Sequence, residues 1–167
     1  GRDAIIDPLK LEDIQCLAEV FADPDRIKIF HDVGYDLLCL KRDFGFEIRG
    51  LFDTMLASRL LGKKKFGLAS ILEERFDFIA DKRYQRSNWA QRPLSEAQLD
   101  YARSDTHYLP ELADQLQKEL EEVGRWEWAK EDFARLPSLV GEPTGRGGEV
   151  DPDGFWRVKG LRGLGAP

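Results

Sequence analysis

The stretch RIKIFHDVGYDLLCLKRDFG, residues 26–45, constrains this chain more than any other. Residues 26–30 read as a strand, a polar turn containing Gly34 follows, and Leu37, Leu38 and Leu40 then mark a helix over 35–43 that stops near Gly45. A strand that passes through a tight glycine turn into a helix is the unit of α/β architecture. It places polar residues at the C-terminal edge of the strand, where α/β proteins tend to bind ligands. The pattern then repeats in shorter form. Residues 50–52 are extended, Asp53 is positioned to N-cap the helix TMLASRLL, and Gly62 ends that helix.

Around this unit the remaining elements fall in order. Residues 3–7, DAIID, alternate and close on Pro8, which predicts a strand entering a turn. Leu11, Ile14, Leu17, Ala18 and Phe21 have helical spacing, so 11–22 reads as an amphipathic helix broken at Asp23-Pro24. A lysine loop, Lys63 to Lys65, leads to a helix over 67–76, and 77–92 reads as an irregular connector. Ser95 with Gln98 has the form of a capping box, and Leu94 before it can act as the hydrophobic staple. The helix that starts there is expected to run to about 123 with a kink or split at Pro110, whose ring nitrogen cannot donate to Thr106. A last helix is expected over 125–135. The domain plan is therefore 1–136, a linker rich in glycine and proline over 137–154, and the apolar and basic start of another element over 155–167.

A chain of 167 residues suits one domain able to bury a core without cross-links. Cys16 and Cys39 lack CxxC or Cys/His spacing, which excludes a zinc framework and a disulfide scaffold and points to a reducing compartment. No apolar run approaches the roughly 20 residues of a bilayer span, and the first residues lack a signal-peptide pattern, so a cytoplasmic location is expected. The net charge is -6, but it is unevenly spread. Arg59, Lys63, Lys64, Lys65, Arg75, Lys82, Arg83, Arg86 and Arg92 outnumber Glu73, Glu74, Asp77 and Asp81 in the middle of the chain. The acidic excess lies in the helical tail and reads as a solvated face. In the connector, basic residues interleaved with Tyr84 and Trp89 can hold a sugar-phosphate strand and stack a base; the alternative is a tryptophan that anchors a loop.

Two stretches carry chemistry. Tyr101 and Asp105 stand four residues apart on the helix from Ser95, so a phenol and a carboxylate share one face. Asp36 opens the helix after the strand. An oxygen-only pair such as Asp36 and Asp105 fits magnesium or manganese and phosphate chemistry. The motifs KIFHDVGYDLLCL, LFDTMLASRLLG, DKRYQRSNWAQRPL and LDYARSDTHYL, in that order, resemble the ribonuclease D-like branch of the DEDD 3′-to-5′ exonucleases over residues 3–135, with Tyr-x-x-x-Asp marking the DEDDy subgroup.

The resemblance implies a ribonuclease H-like α/β fold with a helix-rich C-terminal half. It also implies two-metal hydrolysis at the 3′ end of single-stranded RNA and leaves open whether tRNA precursors or DNA are among the substrates. Asp36 and Asp105 would be metal ligands, Tyr101 would orient the attacking water, and His31, Arg86, Trp89 and Arg92 would contact substrate. The resemblance also exposes a gap. The family's Asp-x-Glu motif has no counterpart here, and Asp3 and Asp7 have the wrong spacing to replace it. The chain is therefore expected to be a fragment without the first strands, to bind the two divalent ions weakly or not at all, and to be inactive alone. FWRVKGLRGL resembles the approach to the helical HRDC domain of ribonuclease D. Two rival readings stand beside this one. An HD-type phosphohydrolase based on His31-Asp32 lacks the upstream histidine it needs, since the other histidine is His107. A noncatalytic RNA-binding or adaptor module with the same fold is the stronger one.

Overall fold

The computed structural model describes residues 3–139. Two parallel strands, β1 (Lys28–Phe30) and β2 (Leu51–Asp53), pair in the register Lys28 with Leu51, Ile29 with Phe52 and Phe30 with Asp53. A parallel pair needs a crossover, which α2 (Gly34–Phe44) supplies as expected. Successive side chains of a strand point to opposite faces, and this alternation divides the core in two. Ile29 and Phe52 face a cluster built on Leu112, Leu116, Leu120, Ala129 and Phe133, whereas Phe30 and Leu51 face a second built on Ile14, Val33, Leu37, Phe46 and Ile48. The first cluster joins α3 (Thr54–Leu60), α4 (Leu68–Phe76), α6 (Leu109–Glu122) and α7 (Trp126–Leu139). The second joins α1 (Ala18–Ala22) and α2.

Local chemistry sets the boundaries. Gly45 closes α2 in the left-handed conformation at φ 68°. Gly50 has φ 57°, and a Cβ there would sit 2.5 Å from the Pro24 carbonyl oxygen, so only glycine fits where the chain returns beside the start of β1. The capping box at Ser95 and Gln98 is present in full and opens α5 (Glu96–His107). The long helix expected across Pro110 is split, with α5 ending at His107 and α6 beginning at Leu109. No helix among the described residues is long and apolar enough to cross a membrane.

Three expectations are corrected. Residues 3–7 form no strand: Asp7 accepts the Leu9 amide at 3.2 Å and turns the chain, and no strand among the described residues lies alongside. The helix expected over 11–22 begins later, as a 3-10 turn at Gln15–Leu17 followed by α1, because Asp13 caps the Gln15 amide at 3.0 Å and Leu11 stays half exposed at 50%. The last helix continues beyond 135 to Leu139, with Leu136 packed against both core clusters. Linker residues 140–154 and the element expected over 155–167 lie outside the described residues.

Candidate active site

Between the C-terminal end of β1, the start of α2, the N-terminal end of α4 and α5 lies an open cleft of about 790 Å³. His31, Asp32 and Asp36 line one side, Tyr101 and Asp105 another, and Gly67, Leu68, Ala69 and Ser70 a third. Four of the residues singled out in the sequence therefore share one cavity: His31, Asp36, Tyr101 and Asp105.

Each is held by its element. Asp36 sits in the first turn of α2, and the start of that helix is fixed from below by Asp53. The buried Asp53 carboxylate accepts the Val33 amide at 2.8 Å through one oxygen and the Leu56 amide at 2.9 Å through the other. Asp53 thus caps α3, as expected, and also ties the start of α3 to the turn before α2. Tyr101 and Asp105 are placed by the opening of α5. There Gln98, 6% exposed, accepts the Ser95 amide at 3.0 Å and donates to Ser87 Oγ and the Asn88 carbonyl at 3.2 Å each. These bonds dock the connector onto α5 and bring the Trp89 ring to 5.9 Å from that of Tyr101.

Among the described residues no cationic side chain matches the charges of Asp36 and Asp105. Loss of surrounding water pushes the Asp105 carboxyl up to about 6. Asp36 is also pushed up to about 6, first by desolvation where the cleft walls crowd its carboxyl, then by the charges of Asp32 and Asp53. Desolvation, with the charge of Asp105, raises the Tyr101 phenol, which keeps its proton near neutral pH. Burial lowers His31 against the pull of Asp53 and Asp32, so its ring tends toward the neutral form.

The connector residues divide. Trp89 is half-buried behind Tyr101 and outside the cleft lining, and Arg86 is exposed on the connector. Arg92 is engaged within the protein: it grips Asp7 through two bonds of 2.6 and 2.7 Å and donates to the Trp89 and Gln91 carbonyls. The sequence reading missed Asp32 as a lining residue. Its backbone stands at φ 61°, a conformation that Asp tolerates better than most residues, and its position one step past a strand end was the available signal.

A divalent cation fits this donor set in kind. Asp36 and Asp105 offer only hard oxygen ligands, and a cation would relieve the charge that lifts both above their ordinary range. The set falls short in number, since among the described residues no three of His, Cys, Asp and Glu gather to hold a metal.

Comparisons with known proteins place the chain among nucleases. A family described as 3′-5′ exonuclease matches residues 1–121. The exosome complex exonuclease RRP6 of Saccharomyces cerevisiae is 43% identical over 125 residues, which are 74% of this chain and 17% of that protein. The crystal structure of Escherichia coli RNase D, an exoribonuclease involved in structured RNA processing, has a TM-score of 0.76 and 30% identity, covering 91% of this chain and 39% of that one. Brucella melitensis NrnC with bound Mg2+ has a TM-score of 0.68 and 36% identity, covering 74% of this chain and 61% of that one. The chain thus spans less than two thirds of each of these proteins.

Proposed function

The chain belongs to the 3′-to-5′ exonuclease family, in its ribonuclease D-like branch with a ribonuclease H-like fold, and from that membership we propose that it forms one side of an exoribonuclease site that trims single-stranded RNA from its 3′ end. The observation that carries this reading is the meeting of Asp36 and Asp105 in one cleft, both pushed up to about 6 without a neighbouring cation. Asp36 and Asp105 would hold magnesium or manganese. When bound, a pair of such ions lowers the pKa of an attacking water and neutralises charge on the phosphate.

The chain's own residues supply the rest. Tyr101 keeps its phenolic proton and can donate to one partner while accepting from another, which suits it to orient a water as in the DEDDy subgroup. The Trp89 ring stands beside that of Tyr101 at 5.9 Å. Arg86, exposed on the connector, would meet the substrate strand, and Trp89 would contact it from the same segment. Arg92 contributes by holding the connector in place through Asp7 and the Trp89 carbonyl. The free thiols of Cys16 and Cys39 fit a cytoplasmic location.

Two carboxylates leave a pair of divalent ions under-coordinated, and no Asp-x-Glu pair occurs in suitable register within these 167 residues. These 167 residues alone therefore bind metal weakly and do not turn over. The same shortage supports the second reading, an RNA-binding adaptor that keeps the fold without catalysis. The test is trimming of a 3′-labelled single-stranded RNA by the full encoded polypeptide with magnesium or manganese. Stepwise loss of nucleotides that disappears in Asp105→Asn supports the enzyme. RNA binding without trimming favours the adaptor, and unchanged trimming in the variant removes Asp105 from the site. Parallel assays with a tRNA precursor and with DNA define the substrate range.

A further inference from the structure

His31 stands at the C-terminal end of β1, half-buried, with its ring on the cleft. Its Nδ1 lies 2.8 Å from Thr54 Oγ1, and Thr54, the first residue of α3, is fully buried. A threonine hydroxyl carries a single proton. Thr54 donates it to the Phe30 carbonyl, 3.0 Å away, so toward His31 the hydroxyl can only accept. The imidazole proton is thereby assigned to Nδ1 by the hydrogen-bond network. Nε2 is left with a lone pair on the ring edge away from Thr54, on a residue that lines the cleft.

That lone pair restricts the partner. Asp32 and Asp36, which share the cleft, are acceptors when ionised, and so is a phosphodiester. What satisfies a neutral Nε2 is a hydroxyl or N–H donor. If the cleft receives an RNA 3′ end, as the proposed function has it, sugar hydroxyls are the donors that lie beside every phosphate regardless of sequence. We propose that His31, fixed in its Nδ1-protonated form by Thr54, accepts a hydrogen bond at Nε2 from a sugar hydroxyl of the 3′-terminal nucleotide and makes the site sensitive to that hydroxyl. Thr54 is then a positioning residue, acting through the imidazole.

The test measures binding of three single-stranded RNAs to the full encoded polypeptide in the presence of a chelator, so that no turnover intervenes. One RNA is unmodified, one ends in a 2′-deoxynucleotide and one in a 3′-deoxynucleotide. The wild type is expected to lose about tenfold in affinity for one of the two modified ends, which identifies the hydroxyl. His31→Ala is expected to bind all three alike, and His31→Gln, whose amide oxygen reaches the place of Nε2, to recover part of the difference. Thr54→Val, which keeps shape and removes the hydroxyl, is expected to reduce the discrimination. Thermal unfolding confirms that each variant is folded. Nitrogen-15 NMR of the His31 ring is expected to show protonated Nδ1 in the wild type and a mixture in Thr54→Val. Discrimination that survives in His31→Ala, equal binding of all three RNAs by the wild type, or a wild-type ring protonated at Nε2 overturns the inference. Failure of the wild type to bind any of the RNAs overturns the inference, while the metal-dependent trimming assay decides the exonuclease reading separately.

Discussion

Asp105 and Glu119 are half-buried carboxylates on consecutive helices, α5 and α6, yet the fold treats them in opposite ways. Burial disfavours the charge on Glu119, but hydrogen bonds from Arg75 at 2.7 Å and Lys63 at 3.0 Å outweigh it, and its pKa is lowered. The pair also fastens the lysine loop and α4 to α6. Among the described residues no basic side chain offsets the burial that pushes Asp105 up to about 6, and Asp36 is in the same position with two acidic neighbours. The contrast separates a charge the fold has already compensated from a charge it leaves for something to bind. Unmatched carboxylates facing one cleft are a cost to stability that the proposed metal site would explain.

The largest expected effect falls on trimming. Asp36→Asn in the full encoded polypeptide is expected to lower metal-dependent removal of 3′ nucleotides by more than about 100-fold, a loss that even outer-shell partners of metal ligands can produce. Glu119→Gln is expected to leave trimming intact, and trimming that falls equally in both variants would erase the distinction. Stability is expected to respond the other way. Glu119→Gln leaves Arg75 and Lys63 short of a charged partner and is expected to cost about 1–2 kcal/mol, seen as a thermal midpoint lowered by about 4 °C.

A smaller effect follows from pH. The Asp105 carboxyl is pushed up from 3.8 to about 6 in the folded chain, so the folded state holds its proton where the unfolded state has released it. Its contribution to stability is thus present below pH 4 and lost as pH rises through about 6. In metal-free buffer, Asp105→Asn is expected to show a shallower fall in thermal midpoint between pH 4 and pH 7 than the wild type, by about 2–4 °C. An identical fall would mean that Asp105 is not a strained charge. The mildest change is Arg86→Ala, which is expected to weaken RNA binding and flatten its salt slope by about one unit. An unchanged slope would return Arg86 to a solvated surface role.

What was legible in the sequence was local. The Ser95–Gln98 capping box, the Asp53 cap, the break at Pro110 and the one-turn spacing of Tyr101 and Asp105 each involve residues within four positions of one another. Motif order then brought Asp36 and His31 into the same site. The connections that decide what those residues do were not legible, because they span the chain. His31 meets Thr54 across 23 positions, Arg92 meets Asp7 across 85, and neither pairing has a local pattern that announces it. The expected strand over 3–7 failed for a related reason: alternation supplies the pattern of a strand, but a ladder needs a neighbour, and side-chain bonds hold this segment instead.

Carboxyl carbon-13 NMR measures directly whether Asp36 and Asp105 are charges awaiting a cation. In metal-free buffer both are expected to titrate near 6, and magnesium added to the full encoded polypeptide is expected to move both titrations down together toward the ordinary aspartate range. Titration of both near 4 with no response to magnesium would contradict the account.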